Sequence, residues 1–529
     1  MIPHYPHLLN HNGTTLLMVH EKPFLMLAGE AHNSCSSSIK YMEEIWDKAD
    51  QLCLNTLLLP ITWELLEPEE DCFDFTLVDH LIQHARQRDK KLILLWFGAW
   101  KNGQSQYAPS WVKTNPVRFK RAVTKKAHSA FSSMPYTTLS YLCQELREAD
   151  AKAFRMLMRH IRILDEKENT VVMIQVENEP GLLFASREHS ESADCLFYAP
   201  VPSEFIAYLK SHPNALSPAV RTALENGANA GTWEEVFGAM ADECFSAYHV
   251  ADYIDYIAIA GKEEYPLPFL CNCWLDNGDI PGNYPSGGPI SKVMAVWQYR
   301  APHVDIIAPD VYLHAFCNTC DEYTKNGNPL MIPETVTHSY AGSRLIYTIG
   351  HYHGLGYSPF GFEDMGQPFT PEQIELYAID GTDSAMATPQ DPLEYAWYTE
   401  TLASMMERLT SKYGTRDLQA VSLEVPEQNL MNFGTFSFRI APANAFSGKN
   451  GACLILKEQE NIFYMVVTGC SFIVLSNNAA LPSADILSLE DGHFENNQWQ
   501  RGRRLNGDEI SHLSYTQPTL LKIQVFAHA

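Results

Sequence analysis

A (β/α)8 barrel followed by a smaller all-β domain is the fold this sequence predicts. Three observations carry that prediction. Short apolar, strand-like runs alternate with helical patterns over about the first 400 residues, the signature of βα units around a parallel sheet. Eight such runs can be counted, the number that closes a barrel. From about residue 415 the pattern changes to alternating strands and turns with no intervening helices, which reads as a sandwich.

The eight runs are Phe24 to Gly29, Asn55 to Pro60, Lys91 to Phe97, Val171 to Val176, Pro268 to Cys273, Val304 to Pro309, Pro329 to Pro333 and Gly356 to Gly361. Between them lie segments with apolar residues at helical spacing, such as Met42, Ile45, Ala49 and Leu52 within 39–54, and a second over 77–88. The connection from Phe184 to Lys262 is long for one βα unit and reads as a fourth helix enlarged by an insertion, placed to wall the barrel mouth. A helix near 393–412 closes the first domain. The expected division is therefore 1–412 for the barrel, with its insertion at 184–262, and 413–529 for the β domain. Strands such as Thr435 to Ile440, Ile462 to Val467 and Leu520 to Val525 build the latter. That domain serves as a buttress, a glycan binder or a subunit interface of a homo-oligomer; the sequence leaves the three open.

Composition narrows the function. Of the 529 residues, 46% are hydrophobic and 19% charged, ordinary for a globular protein, and the formal net charge is -25. That balance argues against nucleic acid or an anionic membrane surface as partner, because each selects a basic patch. No apolar stretch approaches the roughly 18 residues of a membrane span. The N-terminus lacks a basic segment followed by an apolar run. The twelve cysteines show no framework spacing and read as reduced residues, so the expected location is the cytoplasm. Cys317 and Cys320 form a CxxC, but Cys271 and Cys273 are an unconvincing second ligand pair for zinc, and no metal or organic cofactor is expected. Ser286-Gly287-Gly288-Pro289 lacks the Lys and Ser/Thr of a phosphate loop.

A barrel places its chemistry at the C-terminal ends of its strands. Two carboxylates stand out there: Glu179, in Gln175-Val176-Glu177-Asn178-Glu179-Pro180 after the fourth run, and Glu334, in Met331-Ile332-Pro333-Glu334 at the seventh. An isolated Glu at a strand end is ordinarily a solvated loop residue or an ion-pair partner. A pair is different, because glycoside hydrolysis needs one protonated carboxyl to release the glycosidic oxygen and one ionised carboxylate to attack the anomeric carbon. Strands four and seven face each other across a barrel mouth, which suits the ~5–5.5 Å separation of a retaining mechanism. Strand alternation points Glu177 and Glu179 the same way, so spacing alone leaves the acid role open between them. Other strand-end residues suit a sugar: Trp100 and Trp274 as flat apolar faces, Asn102 and Asn178 as hydroxyl ligands, Tyr312 to orient the nucleophile or the sugar, and Glu363 after the eighth run.

Several segments, in order, resemble glycoside hydrolase family 35, the β-galactosidase family. They are Gly29-Glu30-Ala31-His32, Asn55-Thr56, Trp63 to Glu69, Phe73-Asp74-Phe75, Gln175 to Glu179, and Glu334. The resemblance covers roughly residues 20 to 365, and the C-terminal β domain resembles that of a bacterial branch of the family. It implies that Glu179 is the proton donor and Glu334 the nucleophile of a retaining exo-glycosidase acting on terminal β-galactosides. The acidic chain, with no signal segment visible, suggests a bacterial enzyme that trims imported oligosaccharides inside the cell. Three departures bear on the sugar. Gln104, in Ala99-Trp100-Lys101-Asn102-Gly103-Gln104, replaces a Glu that binds galactose hydroxyls; Pro180 follows Glu179 where many relatives have Tyr; and Thr335-Val336 follows Glu334 without the usual nearby Tyr. The rival readings are another exo-β-glycosidase of the clan, such as a β-glucosidase, and a non-catalytic carbohydrate-binding protein.

Overall fold

The computed structural model describes residues 4–124, 138–312, 315–444, 448–511 and 513–529. Its centre is a parallel sheet of β1 (Met26–Glu30), β2 (Thr56–Thr62), β3 (Lys91–Lys101), β4 (Val171–Asn178), β5 (Phe269–Trp274), β6 (Ile306–Asp310), β7 (Met331–Ile332) and β8 (Gly356–Tyr357). Each strand pairs with its sequence neighbour, and β8 pairs with β1. A parallel bridge between Val311 and Thr335, with Val311 N–H donating to the Glu334 carbonyl at 2.9 Å, joins β6 to β7 and completes the ring. All eight expected strands are present.

Alternation along the strands divides the apolar residues between two environments. Met26, Ala28, Leu58, Ile93, Leu95, Phe97, Leu270, Ile306, Ala308 and Met331 fill the barrel, while Leu57, Leu59, Leu92, Leu94, Trp96 and Ile174 face the helices. An N-terminal antiparallel sheet of His7–His11, Thr14–Val19 and Lys22–Phe24 contributes Leu17 and Val19 to the interior cluster. The helix Ile39–Gln51 starts where Ser38 Oγ accepts the Tyr41 N–H, and buries Met42, Ile45, Trp46 and Ala49 at the spacing of one helical face. The helix Thr76–Gln87 does the same with Val78, Leu81, Ile82 and Ala85. The helix expected near 393–412 is broken in two, Pro392–Ser404 and Met406–Ser411.

Residues 184–262 hold the short helices Glu191–Phe197, Ser203–Ser211, Pro218–Asn226 and Trp233–Phe237, then the long helix Ala241–Lys262. The long helix is buried around most of its circumference because it lies between the strands and those short helices.

The C-terminal region forms two antiparallel sheets. One is six-stranded (Leu418–Ser422, Ala452–Gln459, Ile462–Thr468, Thr519–His528, Ser483–Glu495, Gln498–Leu505) and the other four-stranded (Leu430–Asn432, Phe436–Pro442, Cys470–Ser476, Ser514–Tyr515). Between them pack Phe438, Phe463, Phe472, Leu521 and Ile523. The larger sheet is apolar on its other face too: Ala420, Leu454, Leu456 and Val466 join the barrel's cluster. That face meets the helix Ala341–Gly350, which follows β7. A Cβ on Gly350 would lie 2.7 Å from that of Ala420 and 2.8 Å from Leu454 Cδ1, so only glycine lets helix and sheet approach this closely. The buried Arg344 guanidinium spans the same seam in a two-pronged ion pair with Glu424, Nε to Oε1 at 3.0 Å and Nη2 to Oε2 at 2.7 Å.

Candidate active site

The sequence ends β3 and β4 in an unusual way, and that ending builds the site. The ladder between the two strands slips between Trp96 and Lys101, leaving backbone donors of β3 without a carbonyl opposite them. The Glu177 carboxylate takes their place, accepting from Ala99 N–H at 3.0 Å and Trp100 N–H at 2.8 Å. Burial and the adjacent Asp150 push the Glu177 carboxyl far above the usual carboxylate range. Asp150 in turn accepts from Trp96 Nε1 and Tyr253 Oη, each at 2.9 Å. Glu177 and Glu179 both have positive φ, 60° and 45°, so the chain turns out of the pleat at each and alternation no longer sets their directions. Glu177 is thereby spent on the wall, and Glu179 faces the barrel mouth.

A pocket opens there. Glu179, Glu334 and Asp310 line it, each bringing a carboxyl oxygen within 4.8 Å of the others. The surroundings of Glu179 and Glu334 differ. Glu334 is held by donors: Asn178 Nδ2 at 3.2 Å and Asn272 Nδ2 at 3.0 Å to Oε1, and Tyr312 Oη at 2.6 Å to Oε2. The Lys101 ammonium stands 4.0 Å from Oε1 and donates to Asn178 Oδ1 at 2.9 Å. The Glu179 carboxyl is pushed up to about 7 by burial and then by the charge of Glu334, against the opposing pull of Lys101 and Asp310. Burial, Glu334 and Glu179 also drive the Asp310 carboxyl well above its ordinary value. Asn272 ties the group together: its Nδ2 also reaches Asp310 Oδ2 at 2.9 Å, and its Oδ1 accepts the Glu179 N–H at 2.9 Å. The spacing of the three carboxyls would also suit a cation, but Lys101 already supplies positive charge to this cluster.

Of the other residues expected at the site, Asn178, Asn102, Trp274 and Tyr312 are brought to it; Asn102, Trp274 and Tyr312 line the pocket. Three are not. Trp100 is 1% exposed and packs edge-on against Tyr253, ring centroids 4.6 Å apart, because it lies on the helix-facing side of β3. The Gln104 side chain accepts from Gln106 Nε2 at 3.0 Å in the turn after β3 and does not line the pocket. Glu363 holds the loop after β1, its Oε1 accepting the His32 N–H at 2.9 Å. Residues 184–262 contribute no lining either; Trp274 at the end of β5, Leu275 and Asn277 just beyond it, Phe360 after β8, and Leu376 and Tyr377 form walls of the pocket. The Tyr377 ring stacks on Tyr312 at 5.0 Å. Sequence reasoning passed over Lys101, Asn272 and Asp310. The signal was present, since each is a polar residue at the end of, or inside, an apolar barrel strand. Cys271, Cys273, Cys317 and Cys320 are buried and free.

Comparison with known proteins adds the following. The family model described as a domain of unknown function, DUF5597, matches residues 398–515. No curated protein matches the sequence. Among solved structures, the chain is similar to a β-galactosidase from Bacillus circulans sp. alkalophilus, at 12% identity and a TM-score of 0.47, over 73% of this chain and 57% of that one. It is similar to a β-galactosidase from the psychrophilic Marinomonas ef1 at 13% identity and a TM-score of 0.47, over 72% of this chain and 60% of that one. It is also similar to one from Rahnella sp. R3 at 13% identity and a TM-score of 0.44, over 72% and 56%. The matched region thus spans less than two thirds of each of these proteins.

Proposed function

We propose that the chain is a retaining exo-glycosidase, with Glu179 as general acid/base and Glu334 as nucleophile, acting on terminal β-galactosides. The observation that carries this reading is the pairing of two carboxyls within 4.8 Å whose surroundings assign them opposite tasks. Glu334 is gripped by three donors beside a lysine ammonium, an arrangement that fixes the carboxyl and aims it into the pocket. Glu179, pushed up to about 7, carries a proton to deliver near neutrality. In the first step Glu334 attacks the anomeric carbon while the Glu179 proton passes to the departing oxygen. In the second, Glu179 removes a proton from water, which displaces Glu334 with net retention. Once Glu334 is esterified its charge is gone, and Glu179 becomes easier to ionise, as a base must be.

The galactoside preference rests on the sequence blocks that resemble glycoside hydrolase family 35. One observation favours a second reading of the sugar, a β-glucoside or another β-glycoside: Gln104, the counterpart of a galactose-binding Glu, is turned toward Gln106 and away from the pocket. A panel of nitrophenyl β-glycosides tests both. Hydrolysis led by the galactoside, with release of the β-anomer seen by NMR, supports the proposal. Hydrolysis led by another glycoside moves the preference, and inverted product excludes the mechanism. A protein that hydrolyses none, and whose sugar binding is unchanged by Glu334→Gln, is a binder.

A further inference from the structure

We propose that Lys101 is a positioning residue for the pair of glutamates, turning Asn178 toward Glu334 and placing a fixed positive charge beside the two carboxyls. The inference rests on the glycosidase reading and deepens it. Lys101 is 7% exposed at its side chain, and it is the residue delivered to the mouth by the slipped end of β3. Gly98 permits that slip, since a Cβ there would collide with Trp96, Glu177 and Asp150. The lysine stem rises over the Phe97 ring, its Nζ 5.0 Å from the centroid.

The geometry gives the ammonium two tasks. Donation to Asn178 Oδ1 at 2.9 Å leaves the amide's Nδ2 pointing at Glu334 Oε1, 3.2 Å away, so the amide is wedged between a cation and an anion and has one orientation. The second task is electrostatic. Four carboxyls act on the ammonium: Glu334, Glu179 and Asp310 on the pocket and Glu30 on β1. Both Glu30 oxygens are buried without a donor among the described residues; burial and Glu334 push its carboxyl well above the usual range, and Lys101 pulls it down. Burial alone would lower the Lys101 amine; the four carboxyls outweigh it and hold it charged. A lysine that served only to fill space would leave the Glu179 carboxyl untouched, whereas this one pulls it down against burial and Glu334.

The test is K101M, K101Q and K101R in the full chain, read two ways. The first needs no substrate: 13C-detected titration of the glutamate carboxyls, with the Glu179 signal assigned from its loss in Glu179→Gln. K101M is expected to raise the Glu179 midpoint by about one pH unit or more, with K101R close to the parent protein. The second is the pH profile of kcat and KM on an aryl β-glycoside, where K101M should lose about 100-fold in kcat and move its basic limb up in step with the carboxyl. Should K101M not fold, K101Q, which keeps a donor for Asn178 and lacks the charge, is read for the same upward movement. A folded K101M or K101Q whose Glu179 midpoint matches the parent's overturns the proposal. If the parent protein cleaves no β-glycoside, the glycosidase reading falls on its own, and the carboxyl titration still decides the role of Lys101.

Discussion

Tyr312 holds Glu334 by its hydroxyl, Oη to Oε2 at 2.6 Å, while its ring stacks flat on Tyr377. Desolvation and the neighbouring Glu334 push the phenol well above its usual range, so the hydroxyl keeps its proton and donates it. The carboxylate is therefore aimed by a rigid aromatic, in addition to two amides.

Tyr312→Phe keeps that stacking and removes the hydroxyl. A hydrogen bond to a charged group contributes roughly 1.5–3 kcal/mol, so kcat/KM on an aryl β-glycoside should fall about 10- to 100-fold. Steady-state kinetics with circular dichroism as a fold control checks this; unchanged kinetics would mean that Tyr312 does not orient the nucleophile.

Glu179→Gln should lose about 10²- to 10⁴-fold on substrates whose leaving group needs a proton. The loss should be much smaller on dinitrophenyl glycosides, which depart without one. Azide should restore turnover of the latter as a glycosyl azide of retained configuration. Equal losses across leaving groups would exclude the acid/base role.

Stability should also carry the mark of Glu179. Its carboxyl titrates at about 7 in the folded protein, against an ordinary value of 4.5, so the folded state binds the proton more tightly. The stability this contributes is fully present below pH 4.5 and is lost as pH rises through about 7. Glu179→Gln cannot ionise, so its Tm should exceed the parent's at pH 8, with the gap narrowing toward pH 5. Thermal melts across that range decide it; a gap independent of pH counts against a raised Glu179.

Removing one partner of a buried, two-pronged ion pair leaves the other charge stranded, at a cost of about 3–5 kcal/mol. Arg344→Met should show that loss in urea unfolding, and Arg344→Met with Glu424→Leu should recover much of it. A single variant as stable as the parent would show the pair to be dispensable.

Much of the barrel was legible because its strands lie in short apolar runs separated by helical periodicity. Glu334 and Tyr312 could be found by position after β7 and β6. The choice of Glu179 over Glu177 lay beyond periodicity, since it depends on two positive-φ residues and on backbone donors exposed by a slipped ladder. Trp100 and Gln104 were misjudged for the same reason: a bulge near residue 98 decides what faces the mouth, and no local pattern marks it. Glu363 looked like a ligand because it follows a strand, yet it holds the backbone N–H of His32 just after β1. Lys101, Asn272 and Asp310 illustrate a usable rule. A polar side chain inside a barrel strand is costly without partners, so each such residue marks where partners converge.

The larger C-terminal sheet is apolar on both faces, one against its companion sheet and one against the helix that follows Glu334. It therefore acts as an outer shell for part of the barrel and is no detachable appendage. Residues 1–412 made alone would bare the greasy flank of that helix, with Arg344 unmatched beside it. Such a fragment should come out of cells as aggregate; were it soluble and fully active, the shell would be ornamental.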